Sequence, residues 1–213
     1  MFNEIKIKTI VSDNRFSQNS YLCYNDDIMF MVDCGCEKEA YISVLNELDL
    51  NRRKLDGIFL THTHFDHIMG LFDVWDIDKC NIYISKGCED FIYDKIKNVS
   101  AYFGGFECKA INKESIKSIE DGQKIQISGN EVTAYTTKGH SLCSMCYMFG
   151  DILFTGDTIL EGTIGRQDLY GGSSENMEKS LLKIRKIPFK VAYPGHGKPL
   201  DFELVNGIIN FYI

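Results

Sequence analysis

The sequence predicts a mixed α/β fold in one domain spanning residues 1–213, and three observations predict it. The chain has 213 residues, 44% of them hydrophobic and 25% charged. Those are ordinary values for a globular chain long enough to bury most of its apolar surface without disulfide staples. It holds only three prolines, and no linker or low-complexity stretch divides it. Short runs with strand character are interspersed with stretches of helical period in both halves, and no repeat of fixed length underlies them. Strand meanders with helices between them suggest two sheets faced by helices.

The opening "EIKIKTIV" alternates polar and apolar residues, as a half-buried strand does. "SYLCY" and "IMFMVDCG" follow as strands of a hairpin around the "NDD" turn. "EKEAYISVLNELDL" has the helical apolar period, with Tyr41, Val44, Leu45 and Leu48 on one face. "LDGIFLT" is a short apolar strand that runs into His62, and "DHIMGLFDVWDI" reads as one helix with Asp66 near its start. "NIYIS" is a strand and "KGCEDFIYDKI" a helix, whereas residues 98–115 are poorly patterned and Gly104-Gly105 marks a loop. "SIKSIEDGQKIQISGNEVTAYTT" and "MCYMFGDILFTGD" are several short strands with turns at Asp121-Gly122, Gly129-Asn130 and Gly150-Asp151. "SSENMEKSLLKIRKI" is an amphipathic helix that Ser173 or Ser174 can cap, with Glu175 and Glu178 suited to its first turn. "VAYPGHG" is a last strand ending in a glycine-rich loop, and "DFELVNGIINFYI" is helical.

A net charge of −7 argues against a surface built to hold phosphate backbones, so no nucleic-acid partner is expected. The N-terminus, "MFNEIKIKTIVSDN", has no long apolar core and does not read as a signal peptide. No run approaches the length of a membrane span. The expectation is a cytoplasmic protein without a membrane partner. Eight cysteines in such a chain read as reduced thiols. Two pairs are closely spaced, Cys34 with Cys36 and Cys143 with Cys146. They read first as small buried hydrophobic groups near a site, with a redox pair or extra metal ligands as the alternatives. A zinc ribbon would need a second C-x-x-C, which the sequence lacks.

The stretch "THTHFDH", residues 61–67, holds three of the chain's five histidines and an aspartate. Residues two apart in extended chain point to the same side, so His62 and His64 can reach one metal ion. Asp66 and His67, at the start of the next helix, point toward a second. A zinc site takes three or four protein ligands, so further donors must come from elsewhere. The remaining histidines are His140 in "TKGHS" and His196 in "YPGHG", and Asp157 in "FTGDT" has the same setting. Each follows a glycine after a strand-like run, in the strand-end loops where sheet proteins gather functional groups.

"THTHFDH" resembles the H-x-H-x-D-H motif of the metallo-β-lactamase superfamily. "TKGHS", "FTGDT" and "YPGHG" resemble, in order, the loops bearing its third histidine, bridging aspartate and last histidine, and "VDCG" its early Asp-x-Gly. "FTGDTILEGTIGRQDLYGG" followed by "LLKI" is similar to the glyoxalase II, or hydroxyacylglutathione hydrolase, branch. The resemblance implies an αββα sandwich, two mixed sheets flanked by helices, with two divalent metal ions at one edge, zinc first and iron or manganese as alternatives. It implies that His62, His64 and His140 hold the first ion, that Asp66, His67 and His196 hold the second, and that Asp157 bridges both. Lys138 stands where the branch usually has Pro, Cys143 where Gly is common and Cys34 where Pro is common. Full-length glyoxalase II adds a C-terminal helical region that grips glutathione, and this sequence has no counterpart of it, which leaves the thiol carrier open.

The implied function is hydrolysis of a small-molecule thioester by a hydroxide held between two metals, with Asp66 both a ligand and the group that orients the hydroxide. Arg166 in "IGRQD" can pair with a substrate carboxylate or form an ion pair with Asp168. Two alternatives remain within the superfamily. One is a persulfide dioxygenase with one iron on His62, His140 and Asp157. The other is a lactonase or phosphodiesterase. A metal-binding or redox-partner domain without hydrolase activity is the reading from outside enzymology.

Overall fold

A computed structural model describes residues 4–13, 15–106 and 108–213. The N-terminal sheet has six strands in sequence order: β1 (Lys6–Val11), β2 (Asn19–Tyr24), β3 (Met29–Val32), β4 (Gly57–Phe59), β5 (Asn81–Ser85) and β6 (Ile116–Ile119). The first two pairings are antiparallel and the next three parallel. The parallel crossovers carry α1 (Lys38–Glu47), α2 (Phe65–Ile68) and α3 (Leu71–Asp78). The C-terminal sheet begins with a meander, β7 (Lys124–Ile127), β8 (Asn130–Thr136), β9 (Met145–Phe149) and β10 (Ile152–Gly156). A small hairpin follows, β11 (Ile159–Leu160) with β12 (Thr163–Ile164). After α4 (Ser174–Ile184), β13 (Val191–Pro194) pairs parallel to β10 and antiparallel to β14 (Leu200–Asp201), and α5 (Phe202–Tyr212) closes the chain. Ser173 caps α4 by accepting from the Asn176 amide at 3.3 Å, and Asp201 caps α5 by accepting from Leu204 at 2.9 Å.

Three cores stack the layers. Met29 and Met31 of β3 pack with Tyr41, Leu45, Leu71 and Trp75 under the helices, while Phe30 and Val32 face Tyr147 and Phe154 of the other sheet. Consecutive residues therefore bury into different cores, as the pleat requires of a strand covered on both faces. Leu153 turns the other way, onto Met177, Leu181, Val205 and Ile209 of α4 and α5. The order is helices, sheet, sheet, helices, the expected sandwich. No helix among the described residues is long and apolar enough to cross a membrane.

Two elements depart from expectation. The helix read over "DHIMGLFDVWDI" is broken at Gly70 into α2 and α3. The Gly70 amide donates to the Cys34 carbonyl at 2.9 Å, and a Cβ on Gly70 would fall 1.9 Å from the Cys36 carbonyl oxygen. The break is thus made by a tertiary contact with the β3–α1 loop. "KGCEDFIYDKI" forms only a short 3-10 turn over Glu89–Tyr93. Asp94 Oδ1 accepts from the Ile96 and Lys97 amides at 3.0 and 3.1 Å, a local turn that competes with continuing the helix.

Candidate metal centre

Every donor singled out in the sequence lies just beyond a strand. His62 and His64 follow β4, and Asp66 and His67 sit in the single turn of α2. His140 lies in the β8–β9 loop, Asp157 directly after β10, and His196 after β13. β8, β10 and β13 run in one direction, so their loops meet at one edge. The approach there is close enough to require glycine: a Cβ on Gly195 would lie 2.1 Å from Asp157 Oδ1 and 2.6 Å from His67 Cε1.

The seven donors form three overlapping groups: His62, His64 and His140; His62, His67 and Asp157; and Asp66, His67 and His196. Within each group the potential ligand atoms all lie within 4.8 Å of one another. Asp157 links them. Its Oδ1 is 3.3 Å from His67 Nε2, and its Oδ2 is 3.5 Å from His140 Nε2 and 3.6 Å from His196 Nε2. Asp66 Oδ2 lies 3.4 Å from His196 Nε2. His62 Nε2, His64 Nε2, His67 Nε2 and Asp157 Oδ1 are buried without an aligned hydrogen-bond partner among the described residues. Buried polar atoms left unpaired are costly, and lone pairs gathered this way fit a divalent cation, which would satisfy several at once.

Surrounding groups fix the rings. Asp33 Oδ2 accepts from His67 Nδ1 at 2.8 Å and from Thr61 Oγ1 at 2.7 Å, while its Oδ1 accepts from the Thr61 amide at 2.7 Å. Thr61 Oγ1 also lies 3.1 Å from His62 Nδ1. His140 Nδ1 donates to the Arg166 carbonyl at 2.8 Å, which places the lone pair on Nε2, 2.8 Å from His64 Nδ1. The His196 loop is stitched to the other sheet at the start of β2. Gln18 forms a bridge with His196, and Asn19 Nδ2 donates to the Pro194 and Gly197 carbonyls at 3.1 and 2.8 Å.

Electrostatics divide the histidines. Burial, with help from His67 and His64, holds His62 well below the usual imidazole range, and burial with the neighbouring His140 puts His64 at about 3. Burial also disfavours charge on His67, but Asp157, Asp33 and Asp66 reverse this and raise it well above 6.5. Burial opposes ionisation of Asp157, yet His67, His140 and His196 hold it well below the usual carboxylate range.

An open cleft of about 320 Å³ lies against these groups. His64, Asp66, His140, Asp157 and His196 form its polar side. Arg166 also lines it, but the guanidinium is bound in a bidentate pair to Asp168, with both contacts at 2.7 Å. Of the poorly patterned stretch, Val99 and Phe103 reach the wall. The four closely spaced cysteines, Cys34, Cys36, Cys143 and Cys146, are buried free thiols, and no donor group among the described residues includes one. Cys143 Sγ lies 3.1 Å from Thr63 Oγ1, between the first two histidines in sequence, whereas Cys146 Sγ lies beside Thr137, 3.4 Å away, in the α4 core. Lys138 offers its carbonyl to Ser180 Oγ at 2.6 Å, anchoring the His140 loop to α4. Sequence reading noticed Asp33 within "VDCG" without giving it a role, and it missed Asn19.

A four-layered α/β sandwich with a histidine–aspartate centre at the sheet edge is the class that fold and site define. The chain belongs to the Metallo-beta-lactamase superfamily, whose family model matches residues 13–196. It is 33% identical, over 83% of its length and 73% of the relative's, to a protein of Bacillus velezensis named probable polyketide biosynthesis zinc-dependent hydrolase BaeB. It is 31% identical, over 86% of both chains, to the probable metallo-hydrolase YqgX of Bacillus subtilis. Among solved structures it resembles the BLEG-1 B3 metallo-beta-lactamase, with a TM-score of 0.86 and 26% identity over 97% of this chain and 99% of that one. Family and donor groups together define a metal-dependent hydrolase with a divalent-metal site.

Proposed function

We propose that the protein is a thioester hydrolase of the hydroxyacylglutathione hydrolase type, acting on a small-molecule substrate as one domain with two divalent metal ions. His62, His64 and His140 would hold one ion, Asp66, His67 and His196 the other, and Asp157 would touch both. The observation that carries this reading is the placement of Asp157, with one oxygen toward His67 and the other toward His140 and His196. Five imidazoles and two carboxylates suit zinc, iron or manganese, and the name of the Bacillus velezensis relative favours zinc.

Bound divalent ions supply Lewis acidity toward a carbonyl and lower the pKa of water. The chain's own residues do the rest. Asp66, on the cleft wall with its carboxyl held below the usual range against burial by His67 and His196, accepts the hydrogen bond that orients the attacking water. Asp33 and the Arg166 carbonyl keep the rings of His67 and His140 in place. A thiolate is a good leaving group and departs without a general acid. Arg166 reaches a substrate carboxylate only by exchanging Asp168 for it.

The test is hydrolysis of S-lactoylglutathione and of a simple acyl thioester by the purified protein. Turnover that a chelator and His62→Ala each abolish supports the reading. A metal-loaded protein that opens lactones or phosphodiesters but no thioester contradicts it. One iron per chain with oxygen uptake on a persulfide would instead support the dioxygenase alternative.

A further inference from the structure

We infer that the apolar wall beside the metal centre is an acyl pocket, and that the substrate's acyl group is bulky and apolar, of the size of an aromatic ring. The inference rests on the thioesterase reading and adds the substrate class.

The apolar lining of the cleft, beside the donors, is built from Phe16, Phe65 and Phe103 with Val99, Leu160 and Leu169. Phe65 and Phe103 stack with centroids 5.2 Å apart, and Phe16 meets both edge-on, at 4.8 and 5.5 Å. Aromatic side chains in this arrangement present a large apolar surface and favour a further ring against them. The polar lining residues are the donors themselves and Arg166, which Asp168 occupies. A pocket of this composition orients its ligand through a few polar groups at one end and rewards apolar bulk at the other.

The wall is also held in place. Phe65 stands between His64 and Asp66 in the chain, and its amide donates to the Asn98 carbonyl at 2.9 Å. Asn98 is fully buried, donates to the Ile92 carbonyl at 3.1 Å and accepts from the Ser100 amide at 3.0 Å. Val99, a β-branched residue, is kept at a φ of 57° on the cleft surface. Such a conformation persists only where surrounding contacts impose it. The segment bearing Phe103 is therefore tied by backbone contacts to the turn that carries Asp66 and His67.

In the reaction, the oxygen of one water joins the acyl carbon, the C–S bond breaks, and the acid and the thiol are released. The acyl side chain reads the wall, so chain size appears in kcat/KM at constant thiol.

The experiment compares acetyl and phenylacetyl thioesters of N-acetylcysteamine on the metal-loaded protein, with the unreactive S-ethyl and S-phenethyl thioethers titrated by calorimetry. The expected result is a phenylacetyl kcat/KM roughly tenfold or more above acetyl. Phe103→Ala should lower the phenylacetyl value about tenfold more than the acetyl value, with Phe103→Leu between them. The phenethyl thioether should bind tighter than the ethyl one, and Phe103→Ala should remove that difference. Equal kcat/KM values, or a preference untouched by both Phe103→Ala and Phe16→Ala, overturn the pocket. Tight phenethyl binding that depends on Phe103, without turnover of either thioester, supports the pocket and refutes the thioesterase reading. Equal binding of both thioethers overturns the pocket whatever the turnover.

Discussion

Asp33 Oδ2 accepts the Nδ1 proton of His67 across 2.8 Å, although neither residue is exposed and they stand 34 positions apart. The same carboxylate takes two hydrogen bonds from Thr61, so one group at the end of β3 orients both the strand entering the centre and a ring within it. Groups behind a metal-binding histidine commonly contribute 10–100-fold in affinity or activity. Asp33→Asn is therefore expected to weaken binding at the Asp66–His67–His196 group by roughly 10–100-fold, and to weaken the His62–His64–His140 group less. Stepwise metal titration followed by calorimetry checks this. Equal weakening at both steps would count against the role given to Asp33.

Asn19 acts on the opposite flank. Its amide donates to the Pro194 and Gly197 carbonyls and to Tyr21 Oη, 2.8 to 3.1 Å away. Asn19→Ala removes these hydrogen bonds while the Pro194 carbonyl keeps the one from Tyr21 Oη, which costs about 1 kcal/mol for each bond lost. Urea unfolding of the metal-loaded protein should show that loss, and metal retention should fall with it as the His196 loop loosens. Unchanged stability would mean that the Gln18 bridge, the Asn19 amide on the Gly195 carbonyl and Tyr21 Oη on the Pro194 carbonyl hold the loop without the Asn19 side chain.

The two donor groups are expected to respond differently to pH. A histidine must be neutral to ligate. His62 and His64 are held below their ordinary value by burial, so they enter the complex already neutral at pH 7. His67 is raised well above 6.5 because three carboxylates outweigh its burial, and His196 is raised because Asp66 and Asp157 outweigh its burial. Binding at their group must expel protons. Affinity there should fall by about tenfold per proton per pH unit as pH drops below those raised values. Calorimetry in buffers of different ionisation heat should find proton release mainly at the second group. Release divided evenly between the two steps would contradict the assignment.

Arg166→Lys separates two roles for that residue. The lysine keeps the charge but cannot form the fork that holds Asp168. If Arg166 serves the loop, KM stays within about twofold while the loop around the His140 anchor becomes less stable. A KM raised tenfold or more for a carboxylate-bearing thioester would show that the guanidinium leaves Asp168 for substrate.

Much of the site could be read from the chain because its donors are few and tightly placed. Four donor-type side chains fall in six residues, and only two other histidines exist. The strand read over β1 and the Ser173 cap of α4 are likewise local, and they appear where the pattern places them. What escaped depends on distance. Nothing near Gly70 announces that the Cys34 and Cys36 carbonyls will press on it. Asp33 reads as one more strand-end aspartate until Thr61 and His67 are brought to it. The aromatic wall joins Phe16, Phe65 and Phe103 from three separate segments, one of them without periodicity.

The central claim is that two ions sit in this edge and share Asp157. Crystals of the metal-loaded protein measured at the absorption edge of the bound metal test it most directly. The account predicts two anomalous peaks, one among His62, His64 and His140, the other among Asp66, His67 and His196, with Asp157 touching both. A single fully occupied peak, or a second peak away from these residues, would contradict it.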